Sequence, residues 1–160
     1  MHKPLIAASF VAALALAGAA VAAPGKPGHS HAADAAYGKP GDPKKPARIV
    51  QITMREADGK MLFVPDRIEV RRGEQIKFVV RNNGEQDHEI VVATLAENLK
   101  HLEEMKKNPD MEHDDPNARR LKPKGTADMV WHFTKAGTFD FSCLIPGHRE
   151  SGMHGTIIVK

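Results

Sequence analysis

From Arg48 onward, apolar and polar side chains alternate in short runs separated by turn-forming residues. Ile49, Gln51, Thr53 and Arg55 interleave with Val50, Ile52 and Met54, the period of two that puts successive side chains on opposite faces of a strand. Asp58-Gly59 marks a turn and leads into a short apolar run over residues 61–64. Ile68 and Val70 belong to the next strand, which ends at the turn Arg72-Gly73-Glu74. Ile76, Phe78 and Val80 alternate again until Asn82-Asn83-Gly84, and residues 88–92 form a further strand. Near the C-terminus the pattern returns over residues 129–134, 138–142 and 156–159. Seven or eight short strands punctuated by turns argue an all-β sandwich.

One segment departs from this rhythm. Thr94-Leu-Ala-Glu97 has the spacing of a capping box, and Leu95, Leu99 and Leu102 recur at helical intervals. The spacing predicts a helix from there to about Lys107, stopped before Pro109. A polar loop with Met111, His113, Asp114 and Asp115 follows, then a basic stretch up to Gly125. Residues 94–125 therefore read as a helix-containing insertion between two strands.

The first residues read differently. His2 and Lys3 precede an almost wholly apolar run over residues 5–17, and Ala20-Val21-Ala22 offers a small-x-small cleavage pattern. The run is shorter than the about 20 residues a membrane span requires, so residues 1–22 are expected to be a signal peptide cleaved after Ala22, with no span in the mature chain. The protein is then exported, to the periplasm. Residues 23–46 are rich in Pro, Gly, Ala, Lys and His with almost no large apolar residue, the composition of a disordered tail. His29 and His31 lie in it. Residues 47–160 make the folded domain.

Removing residues 1–22 takes one lysine and no acid, so the net charge of +3 becomes +2. That balance is too mild and too evenly mixed for a nucleic-acid binder; Arg119, Arg120, Lys122 and Lys124 fit a solvated loop.

Cys143 is the only cysteine, and outside the cytoplasm it has no internal disulfide partner. Its neighbours explain it. The stretch Phe141-Ser-Cys143-Leu-Ile-Pro-Gly-His148-Arg-Glu-Ser-Gly-Met153 sets a thiolate, an imidazole and a thioether on a Pro/Gly loop with four residues between each and the next, as wrapping one metal ion demands. A second imidazole must come from elsewhere, and His88 is the best candidate because it opens a strand after the Asn82-Asn83-Gly84 turn. Two imidazoles, one thiolate and a weak axial methionine suit copper in both oxidation states, whereas zinc gains little from a thioether. Singly, Cys143 fits a core position, His148 a surface turn and Met153 ordinary packing; their order on one loop argues otherwise.

Other residues compete less well. His154 directly follows Met153 and points away from the metal by strand alternation, and His132 sits within the Trp131-His-Phe133 strand. Met105, Met111 and His113 with Asp110 and Asp114 offer a second soft copper site, against the plainer reading of an exposed acidic loop.

The segment from Pro65 to Gly73, Asn82-Asn83 up to His88, and Gly137 to Cys143 with His148 and Met153 together resemble the cupredoxins, the type 1 copper proteins. The likeness covers roughly residues 48–160 apart from the insertion, and is strongest to the periplasmic copper-tolerance members. It implies a Greek-key β-sandwich with one copper ion near one end, His88 and His148 as imidazole ligands, Cys143 as thiolate and Met153 as axial ligand. Two departures stand out: Glu89 occupies the position where many members carry an Asn that ties the ligand loops together, and the loop from Cys143 to His148 is longer than in plastocyanin-like members.

Two functions fit. One is a redox-active copper protein of copper tolerance, which the His-bearing tail and the insertion favour. The alternative is a soluble electron carrier serving a periplasmic redox partner protein. An enzyme fits less well: a bimetallic site needs a second cysteine, and Gly147 stands where its spacing would place one.

Overall fold

The computed structural model describes residues 35–109, 111 and 115–160. The expected signal peptide, tail residues 23–34 with His29 and His31, and Asp110, His113 and Asp114 lie outside the described residues. A two-residue strand β1 (Lys39–Pro40) comes first, and the alternating runs then fold as β2 (Arg48–Ala57), β3 (Lys60–Val64), β4 (Arg67–Val70), β5 (Gln75–Asn82) and β6 (His88–Ala93). Helix α1 (Leu95–Lys107) follows, then β7 (Ala118–Leu121), β8 (Thr126–His132), β9 (Gly137–Ser142) and β10 (His154–Val159).

These strands form two five-stranded sheets, ordered β1-β8-β5-β2-β3 and β4-β10-β9-β6-β7. β2 lies parallel to β5 and β10 parallel to β4, while the other pairs are antiparallel. Every second side chain faces the space between the sheets, so Ile52, Met54, Ile76, Phe78 and Val80 meet Ile90, Val92, Phe141 and Ile157 in one core. Phe63 and Phe141 join the two layers edge to face, with ring centroids 5.1 Å apart.

Pairing polarity decides what meets at the sandwich end. β6 runs antiparallel to β9 with Val91 opposite Ser142, so the first residue of β6 and the residue after β9 lie at the same end. β10 runs antiparallel to β9 with His154 opposite Ser142, which brings the residue before β10 there too. His88, Cys143 and Met153 therefore converge, although 54 and more residues separate the first from the others.

Three sequence expectations need correcting. Residues 35–46 of the tail expected to be disordered pack against the folded domain. Tyr37, only 2% exposed, stacks on Trp131 at 5.6 Å, and the Trp131 indole N–H donates to the Tyr37 carbonyl at 2.7 Å. One aromatic residue in a Pro/Gly-rich setting thus anchors a segment whose composition gives little sign of order. Tyr37→Ala is expected to cost about 3 kcal/mol by opening a cavity against Trp131; urea unfolding of the metal-free protein checks it.

The insertion expected over residues 94–125 also contains a sheet strand. β7 pairs with β6, placing Arg120 opposite Glu89, and its two arginines between the buried Ala118 and Leu121 conceal the strand period. The helix begins and ends as expected, with the Thr94–Glu97 capping box formed. Its buried face is nevertheless Asn98, Leu102 and Met105, whereas Leu95 and Leu99 are 50% and 44% exposed. The Asn98 amide turns that face inward by donating to the Val91 carbonyl at 3.1 Å and to Asp140 at 2.8 Å.

Candidate metal centre

Among the described residues, His88, Cys143 and His148 form the single cluster of three or more His, Cys or acidic side chains whose donor atoms lie within 4.8 Å of one another, and all three are buried. The two histidines approach through their Nδ1 atoms at 3.2 Å, and Cys143 Sγ lies 3.4 Å from His148 Nδ1. β6 delivers His88 and β9 delivers Cys143. The turn Pro146-Gly147 then returns His148, whose N–H donates to the Ile145 carbonyl at 3.0 Å. Gly147 has φ 89°, a left-handed conformation that a side chain would strain.

Met153 is fully buried and follows on the same loop. Its N–H donates to the His148 carbonyl at 3.1 Å, and its own carbonyl accepts from Cys143 N–H at 3.1 Å. The backbone therefore locks all three loop residues together.

The Cys143 thiol receives the Glu89 N–H at 3.4 Å. Burial, then the nearby Glu89 carboxylate, pushes the thiol pKa up to about 12. Alone, this cysteine keeps its proton at neutral pH, and a bound cation is the kind of partner that would release it. Burial, followed by the proximity of His88, lowers the His148 pKa and favours its neutral, lone-pair form. Two imidazoles, one thiol and a neighbouring thioether residue form a soft, compact donor set, which fits copper.

Glu89 answers one departure noted in the sequence. Its side chain spans the two ligand loops, accepting Leu144 N–H at 2.9 Å. The tie exists, with a carboxylate oxygen as its side-chain link. Burial raises the Glu89 pKa, against the lowering influence of Leu144 N–H and Arg120.

Sequence reasoning missed two supports. Glu56, on β2 of the opposite sheet, holds His88 Nε2 at 2.8 Å. With the carboxylate accepting there, Nε2 carries the proton and Nδ1 keeps its lone pair for the cluster. No local motif links residues 56 and 88; only the strand arrangement does. The second support is Arg149, next to His148, whose guanidinium grips Asp140 at 2.9 and 3.1 Å and also meets Ser142. Asp140 additionally accepts from Ser142 at 2.6 Å and from Asn98 of α1.

The remaining candidates fall elsewhere. His132 binds the Gly73 carbonyl at 3.1 Å, and His154 is exposed at the start of β10. Met105 is fully buried among Val91, Leu102, Ala118 and Leu144, with Met111 packed against that cluster, so Met105 serves as core.

A two-sheet sandwich with a buried His-Cys-His centre at one end defines a cupredoxin. The chain belongs to the plastocyanin/azurin family of copper-binding proteins, whose family model matches residues 50–160, and the site takes one copper ion. Among curated relatives, the copper-resistant cuproprotein CopI of Rubrivivax gelatinosus is 45% identical over 132 residues, covering 82% of this chain and 78% of its own. CopI of Vibrio cholerae is 35% identical over 109 residues, 68% of this chain and 63% of its own. Among solved structures, dithionite-reduced auracyanin from Roseiflexus castenholzii superposes with a TM-score of 0.59 at 22% identity, covering 71% of this chain and 98% of that one, and so shares the fold.

Proposed function

We propose that His88, Cys143 and His148 ligate the copper ion with Met153 as a weak axial ligand, and that this redox-active centre serves copper tolerance in the periplasm. The carrying observation is the buried three-donor cluster on a chain 45% identical to a copper-resistant cuproprotein. Bound copper supplies reversible one-electron chemistry. The chain's own residues hold the donors rigidly, keep them buried and fix the His88 tautomer through Glu56.

Four protein donors leave no open position for a substrate, which supports a non-enzymatic role. Export rests on the sequence of residues 1–22. Among the described residues no helix is long and apolar enough to cross a membrane. Electron carriage to a periplasmic partner is the second reading. It is favoured by the exposure pattern: His88 and Cys143 are fully buried, whereas His148 is 7% exposed and offers the ligand edge nearest solvent.

The test is expression of the full chain, or of Cys143→Ser, in a copper-sensitive Gram-negative host. The native chain is expected to raise the copper concentration that halts growth several-fold over Cys143→Ser at equal abundance in the periplasmic fraction. Equal growth for both would remove the tolerance reading and leave electron carriage.

A further inference from the structure

Glu56 stands apart from the rest of the centre. It is the acidic side chain in contact with His88, it comes from the sheet that supplies none of the loop donors, and its side chain is 26% exposed. One carboxylate oxygen faces His88 Nε2 at 2.8 Å and accepts Gln86 N–H at 3.1 Å. The other accepts Glu85 N–H at 3.0 Å. The turn before His88 is shaped around this group, for a Cβ on Gly84 would run into the carboxylate. The Asn82 side chain closes the same turn, accepting Gly84 N–H at 2.9 Å and donating to the Gln86 carbonyl at 2.8 Å.

The Glu56 carboxylate is thus held by two backbone N–H groups directly against the outer nitrogen of His88.

We propose that Glu56 is a positioning and tuning residue of the copper centre, holding His88 as the Nε2–H tautomer and using its charge to favour Cu(II) over Cu(I). The inference rests on the proposed ligation of copper by His88 through Nδ1. A carboxylate on the far N–H makes an imidazole more basic at the metal-binding nitrogen, and removing such a partner typically costs 10- to 100-fold in metal affinity. The added negative charge attracts the doubly charged ion more than the singly charged one, so the loss falls mainly on Cu(II).

The experiment is redox titration of copper-loaded Glu56→Gln beside the native protein, with visible absorption, electron paramagnetic resonance and metal-free melting recorded for both. Glu56→Gln is expected to keep the thiolate-to-copper band while losing about tenfold in Cu(II) over Cu(I) affinity, a rise of about 59 mV for one electron. Glu56→Asp, which keeps the charge, should restore part of the shift. An unchanged potential in Glu56→Gln would overturn the proposal. So would a Glu56→Gln that melts like the native protein but gives no band, because the residue would then be needed to form the centre at all. Absence of the band in the native protein would instead overturn the ligation itself.

Discussion

Cys143→Ser is expected to remove the intense visible absorption of the copper-loaded protein entirely and to weaken copper binding by more than the roughly 100-fold that loss of an outer partner costs. The band arises from charge transfer between thiolate and copper, and Cys143 is the only cysteine in the chain. A serine hydroxyl occupies nearly the same space and can accept the Glu89 N–H that now meets the sulfur at 3.4 Å. Burying that hydroxyl costs about 1–3 kcal/mol, so the metal-free variant should fold and melt somewhat below the native protein. Absorption at matched copper loading, with a far-ultraviolet dichroism melt, checks both halves. A surviving band would move the thiolate assignment off this centre.

Asp140→Ala should be the most destabilising single change near the site. Asp140 is buried beneath the ligand loop and holds Arg149, Ser142 and Asn98 at once. Both ions are largely shielded, with side-chain exposures of 13% for Arg149 and 10% for Asp140. Deleting one member of a buried pair leaves the other charge uncompensated and typically costs 3–5 kcal/mol. The variant should therefore lose about 4 kcal/mol in urea unfolding. The double variant Asp140→Ala with Arg149→Met should recover part of that loss, because no buried charge remains alone. The loop residue beside Arg149 is His148, so copper loaded into Asp140→Ala should also show an altered paramagnetic spectrum. Additive losses in the double variant would show that the pair is not coupled.

Much of this arrangement was legible before any coordinates. Strand alternation is a local signal, and it located the cores of β2, β5, β9 and β10 because their apolar residues face one shared interior. The coming together of Cys143, His148 and Met153 was legible for a different reason: they lie within one turn-rich segment, where spacing alone constrains geometry. His88 required a further step, since its meeting with Cys143 depends on the antiparallel pairing of β6 and β9.

What escaped the sequence depends on contacts between distant segments. Tyr37 is ordered by Trp131, 94 residues away, and nothing in its own neighbourhood signals that. The buried face of α1 follows Asn98 because a polar residue found partners in Val91 and Asp140, while two leucines of the apolar pattern stayed outside. β7 hid behind paired arginines, one of which lies opposite Glu89. Glu56 reaches His88 from another sheet. In each case a tertiary partner decides the role, and local propensity carries no information about it.

We propose one copper ion held by His88, Cys143 and His148, with Met153 completing the set. Copper titration of the protein, with visible absorption and bound copper followed together, tests it most directly. An intense thiolate-to-copper band that rises linearly and saturates at one equivalent is expected; copper taken up without that band, at any stoichiometry, would rule this ligand set out.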